Sequence, residues 1–154
     1  MLEVILMSIE RVSLAIIVGG GIIMAACVRP LLLQQLSRKD RTEIVKSTEA
    51  ISINAWNRYN KVAFVATTVM MVLDFIRIGM RIQYSYWHLG LVAIILLLLL
   101  WKFIVDKSLK KRLLEKGDAA VNSSEQNKEH RLVELLSKII LVLAIILTVL
   151  PFQI

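Results

Sequence analysis

Four stretches of this chain, at about 12–36, 62–80, 90–105 and 132–150, are long and oily enough that lipid rather than water is their natural solvent. A helix of about 20 predominantly apolar residues crosses the hydrocarbon core of a bilayer. Unpaired backbone groups are costly in lipid, so each crossing is expected to be a helix. Hydrophobic residues make up 57% of the 154 residues, against about 45–50% in soluble domains, and the excess is concentrated in these runs. The expected fold is all-α: an integral membrane four-helix bundle forming one transmembrane domain over 1–154, with an amphipathic surface helix between spans one and two.

The second span carries Asp74, with Arg77 three residues on and Arg81 seven on. At helical spacing all three share a face. An ionisable residue inside a span is costly and is normally held by a partner or a wet cavity. Two readings fit: an Asp–Arg pair near the membrane edge that anchors the helix, or part of an ion or substrate path. Met70, Met71 and Met80, with the lone Cys27, offer soft sulfur suited to Cu(I), although methionine at helical spacing in a span also serves as core filling. A single cysteine excludes an internal disulfide and a thiolate metal cage.

The first span contains Gly19-Gly20-Gly21, with the small pairs Ala15/Gly19 and Gly21/Ala25 four residues apart. In lipid, small residues let another helix approach closely, so Gly19, Gly20, Gly21 and Ala25 are expected to be packing residues. Arg29-Pro30 follows. The proline removes a backbone donor and bends the helix, and Arg29 has the length to snorkel to the headgroups. Thr42 to Asn54 reads as a surface helix leading into span two. Trp56 and Tyr59 fit an aromatic belt, beside a polar cluster of Asn54, Asn57, Arg58 and Asn60 that is either solvated interface or a ligand rim.

The connection holding Tyr84, Tyr86, Trp87 and His88 is short, making spans two and three an antiparallel hairpin with His88 at the interface. The third span is Leu-rich, suits a lipid-facing helix, and closes on Trp101 and Lys102. Lys107, Lys110, Lys111, Arg112 and Lys116 are expected along an anionic membrane surface. Residues 117–128 have turn and disorder composition. The fourth span has Lys138 near its start and Pro151 at its end.

The net charge of +7 has a topological explanation before a nucleic-acid one. Arg29, Arg38, Lys39, Arg41, Lys46, Arg58 and Lys61 lie in or beside the first long loop. Lys102, Lys107, Lys110, Lys111, Arg112, Lys116, Lys128 and Arg131 lie in or beside the second. With 15 of 19 cations there, the loops at about 37–61 and 106–131 are expected to be cytoplasmic and both termini outside. The amino end lacks the basic start of a secretory signal and is read as a retained span. No Walker loop, G-x-S-x-G or H-E-x-x-H occurs. His88 and His130 fall at opposite ends of the spans and cannot share a site. Catalysis is therefore disfavoured, and no cofactor is expected.

Gly19 to Gly21, Pro30-Leu31-Leu32, and Glu129-His130-Arg131 before the last span resemble the bacterial four-helix membrane domain of unknown function that is similar to transmembrane protein 205. That group is distantly similar to the copper-resistance D family. The resemblance spans most of the chain on hydropathy and few residues. It departs at Ser137-Lys138, where an asparagine belongs, and the histidines within the spans of the distantly similar haem-pathway oxidase are missing. The resemblance implies a four-helix bundle with a hint of metal or toxic-compound handling. The expected function is a small non-enzymatic bacterial inner-membrane protein, a subunit or accessory of a larger assembly or a homo-oligomer. Its partners would be the lipid bilayer and either other membrane subunits or itself, not nucleic acid. A transporter or metal-handling protein using the Asp74/Arg77 pair, and a haem-linked redox protein using His88 or His130, are the alternatives.

Overall fold

The computed structural model describes residues 1–36, 42–82, 85–116 and 123–150, with side chains for all of these except 36 and 42–46. Helix α1 (Leu2–Ile23), a π-helical turn (Met24–Val28) and α2 (Arg29–Leu36) form one continuous rod, followed by α3 (Thr42–Gly79), α4 (Tyr86–Lys116) and α5 (Ser124–Val149). α1 packs on α3 and α5, and α4 packs on the same two. The four rods thus close an up-and-down bundle in which each is antiparallel to the rods it touches. Leu36, Thr42, Lys116 and Ser124 lie at one end, here the loop end. Gly79 and Tyr86, on either side of the α3–α4 hairpin, lie at the other, the hairpin end, with Leu2 and Val149. All four rods are long and apolar enough to cross a membrane.

The inward stripes follow a spacing of alternately four and three residues. On α4 the buried stripe runs His88, Val92, Ile95, Leu99, Lys102, Asp106, Leu109, Leu113. On α3, Glu49, Ile53, Asn60, Ala63, Thr67, Met70, Asp74 and Arg77 are buried at the same spacing, with half-buried Trp56 filling the remaining position. That period is the left-handed bundle repeat. It does not break where α3 passes from polar to apolar sequence. The polar helix expected at Thr42–Asn54 is therefore present and joined to span two as one rod of 38 residues, about 57 Å long.

Among the described residues, large apolar side chains are exposed on α1 up to Ile23, on α3 from Val62, on α4 up to Ile104 and on α5 from Leu135, and beyond those limits only at Leu31, Leu33, Ile51 and Leu114. This belt is the lipid-facing surface. α2, the first half of α3, the last three turns of α4 and the start of α5 project beyond it, around a second small core of Ile53, Val105, Leu109, Leu113 and Val133.

Several boundaries differ from expectation. The first helix begins at Leu2, ten residues before Val12. α4 runs on through the basic segment to Lys116, because Leu109 and Leu113 continue its buried stripe. That segment is thus packed against α5 rather than laid along a lipid surface. Of the stretch with turn composition, Ser124–Lys128 is helical. Ser123 caps it, its Oγ accepting from the Gln126 N–H at 3.2 Å, and Gln126 is buried. Residues 117–122, Arg38, Lys39, Arg41, Tyr84 and Pro151 lie outside the described residues, as does the Lys46 side chain.

The π turn stands directly before Pro30. Proline has no N–H, and its ring crowds the carbonyl four residues back. Here the Arg29 N–H donates to Met24 O, five residues back, which widens the rod at that point. α3 ends differently: Ile82 N–H donates to Arg77 O at 3.0 Å and Arg81 N–H to Ile78 O at 3.2 Å. This Schellman closure places Arg81 at φ 51°, a left-handed position usually held by glycine.

Candidate functional site

Two polar centres interrupt the apolar core. At the hairpin end, α1 supplies Glu10, α3 supplies Asp74 and Arg77, and α4 supplies His88, all 6% exposed or less. Arg77 Nη2 stands 2.5 Å from Glu10 Oε2 and Nη1 3.5 Å from Asp74 Oδ1. His88 Nδ1 lies 2.9 Å from Asp74 Oδ2, and Nε2 lies 3.2 Å from Glu10 Oε1. All four carboxylate oxygens face a guanidinium or imidazole nitrogen, so the residues form a closed ring. With both ring nitrogens protonated, His88 faces a carboxylate at each, a hydrogen bond at Nδ1 and an ion-pair contact at Nε2. Two anions and two cations then balance.

The ring corrects three expectations. Asp74 does pair with Arg77, but Arg77 is closer to Glu10, which carries no expectation from sequence. His88 is buried inside the bundle rather than interfacial. Arg81 does not share the Asp74–Arg77 face, because the helix ends at Gly79 and the left-handed turn directs Arg81 outward, where it is exposed.

The second centre lies fourteen residues along α3 and α4, about 21 Å nearer the loop end. Lys102 is 1% exposed, not a closing residue at the surface. Its Nζ donates to Asn60 Oδ1 at 2.8 Å and Ser137 Oγ at 2.6 Å, and sits 4.6 Å from the centroid of the Trp56 ring. Asn60 Nδ2 in turn donates to Asp106 Oδ2 at 2.7 Å. Lys102 has no carboxylate within 4 Å among the described residues. The amide of Asn60 relays between the ammonium and Asp106. Between the centres the core of described residues is apolar apart from Ser13 and Thr67, whose hydroxyls bond their own helices: Ile17, Ala63, Ala66, Met70, Val92, Ile95, Leu99, Ile140, Ala144 and Leu147.

Lys102 forms part of the wall of a cavity of about 520 Å³ that runs toward the loop end and is also lined by Gly21, Ala25, Arg29, Glu49, Trp56, Tyr59, Asp106, His130, Arg131, Glu134 and Lys138. That volume is in the range of small-molecule pockets, about 300–1,000 Å³. Arg29 does not snorkel to lipid. It grips Glu134 of α5 with both guanidinium nitrogens, and Lys138 holds the same carboxylate at 2.8 Å. His130 Nε2 and Gln126 Nε2 both approach Glu49 Oε1, at 3.1 and 2.6 Å. His88 and His130 occupy opposite ends of the bundle.

The expected aromatic belt at Trp56 and Tyr59 is turned inward. Tyr59 donates its hydroxyl to Ile17 O at 2.7 Å, and its ring fills the notch left by glycine. A Cβ on Gly20 would fall 2.6 Å from Tyr59 Cε2, and one on Gly21 3.0 Å from its hydroxyl and 3.2 Å from Leu141 Cδ1. Gly19 faces open space, and Ala25 lines the cavity. Cys27 is exposed in the π turn, Met70 is buried in the core and Met80 is exposed past the end of α3. Among the described residues, no three of His, Cys, Asp and Glu are grouped as they would be around a metal.

Sequence reasoning missed Glu10, Glu49, Lys102, Asp106, Gln126 and Glu134. Their signal is spacing: Lys102 and Asp106 occupy core positions of the repeat that runs through Val92, Ile95 and Leu99. Comparison of the chain with family models, curated proteins and solved structures gives no match.

Proposed function

We propose that this is a non-enzymatic integral membrane protein that seats a small ligand in the cavity around Lys102. The observation that carries the reading is a fully buried ammonium held by neutral partners in the wall of a cavity of ligand size. A buried charge is costly unless well compensated, and an intramembrane cation facing a cavity is a functional group by default. The hairpin-end ring favours the same reading from the other side. Its charges are matched to one another, leaving no free group for a passing ion, so it acts as a strut that holds that end shut.

The expectation of an accessory subunit or homo-oligomer drew on the glycine face of α1. Tyr59 and Leu141, from the same chain, already meet Gly20 and Gly21, which weakens that motive. The cationic bias of the two long loops favours a bacterial inner-membrane protein with the loop end cytoplasmic and both termini outside. Reporter fusions at each terminus test that orientation, and a cytoplasmic C-terminus overturns it. The ligand reading is tested by gentle purification followed by mass spectrometry of what comes with the protein. A small molecule retained by the wild type and lost from Lys102→Met supports it. An identical complement in both proteins overturns it.

A further inference from the structure

We infer that the cavity ligand is an anionic amphiphile: one apolar tail bearing a carboxylate or phosphate head. This rests on the cavity being a ligand seat, and adds the chemical class.

The polar wall carries a formal excess of one cation. Its three carboxylates are already occupied: Glu49 by Gln126 and His130, Asp106 by Asn60, and Glu134 by both Arg29 and Lys138. Among the cations, Arg29 and Lys138 share the single acid Glu134. Lys102 reaches Asp106 only through the Asn60 amide, and Arg131, which also lines the cavity, has no carboxylate within 4 Å among the described residues. Formal charges on the wall are four cations (Arg29, Lys102, Arg131, Lys138) against three anions (Glu49, Asp106, Glu134), counting His130 as neutral. An anionic head is therefore matched and a cationic one repelled.

Apart from Ser52, Asn60, Asn127 and Ser137, the rest of the wall is largely apolar. Gly21, Leu99, Ile140 and Leu141 line its inner part, where Leu99 and Ile140 belong to the dry core. Alkyl surface gains about 25 cal/mol per Å² on leaving water for such a lining. Head and tail preferences are thus met within one cavity, with Lys102 one helical turn from Leu99.

Trp56 lines this cavity and serves as the reporter. In full-length protein carrying Trp87→Phe and Trp101→Phe, a brominated stearate, its methyl ester and inorganic phosphate are titrated in detergent micelles. Saturable quenching by the acid is expected, with affinity at least about tenfold weaker for the ester and in Lys102→Met. Arg131→Gln, an exposed position that leaves the fold intact, is expected to weaken the acid as well. Phosphate is expected not to displace the acid, which identifies a membrane-derived amphiphile. Full displacement by phosphate points to a soluble anion and overturns the inference. Equal quenching by acid and ester, or acid affinity unchanged in both variants, also overturns it. A neutral or cationic molecule recovered with the wild type and lost from Lys102→Met would sink this inference while leaving the ligand seat standing.

Discussion

The ring of Glu10, Asp74, Arg77 and His88 makes a non-additive prediction. Removing one member of a buried charge pair costs about 3–5 kcal/mol, because its partner remains buried and uncompensated. Glu10→Gln turns an amide toward Arg77 Nη2, which now stands 2.5 Å from a carboxylate oxygen, and strips one of the two anions facing His88. Destabilisation of about 3–5 kcal/mol is expected. Asp74→Asn does the same on the other side, since it also faces both cations. Replacing all four together with apolar residues of similar volume leaves no orphaned charge, and such swaps are commonly neutral or stabilising by about 1–4 kcal/mol. The quadruple variant Glu10→Leu, Asp74→Leu, Arg77→Met, His88→Leu is therefore expected to be far more stable than either single variant. Reversible unfolding by SDS titration in mixed micelles measures this. Trp87 fluorescence is the natural signal, its ring lying 5.9 Å from that of His88. Single variants within about 0.5 kcal/mol of wild type, the range of ordinary surface changes, would refute the ring. So would a quadruple variant at least as unstable as the singles.

Two further predictions concern the backbone. Gly20→Leu places a side chain where even a Cβ falls 2.6 Å from the Tyr59 ring; overpacking of about 1–3 kcal/mol is expected as a lower melting temperature of the protomer itself, and a change only in assembly size on a native gel would contradict it. Arg81→Gly relieves a left-handed residue at φ 51°, a conformation that costs a side-chain-bearing residue about 1–2 kcal/mol, and glycine offsets about 0.4–1 kcal/mol of that gain through the unfolded chain. A net gain of about 0.5–1 kcal/mol is expected in the same unfolding assay, and a loss would show that the Arg81 side chain matters more than its backbone.

The four crossings were legible because their apolar runs have the length of a bilayer. Where each rod stops was less so. α3 and α4 leave the lipid belt and continue as helix, so composition changes where structure does not. The charged site was half legible. Asp74 and Arg77 stand out against an apolar span and share a helical face at three-residue spacing. Glu10 lies in a run that reads as an amino-terminal flank. Lys102 follows Trp101 at the apparent end of a span, where a lysine ordinarily snorkels to water. Only its place in the four-three repeat distinguishes it from such a residue, and only the packing of α3 and α5 against it makes that repeat visible. Tyr59 shows the limit most directly. The hydrogen bond that seats Tyr59 over the glycine notch joins residues 42 positions apart, a pairing that no local pattern announces.

The proposed function requires a bundle that is dry at its centre and wet around Lys102 from the loop end alone. In a Cys27→Ser background, single cysteines at Ser52, Ser137 and Thr67 can be challenged with a membrane-impermeant thiol reagent from each side of sealed vesicles. Ser52 and Ser137 line the cavity, and Thr67 is fully buried between the two centres. Labelling at positions 52 and 137 from the loop side only, with position 67 silent from both, is the predicted result. Labelling of 137 from the hairpin side, or of 67 from either side, would contradict it.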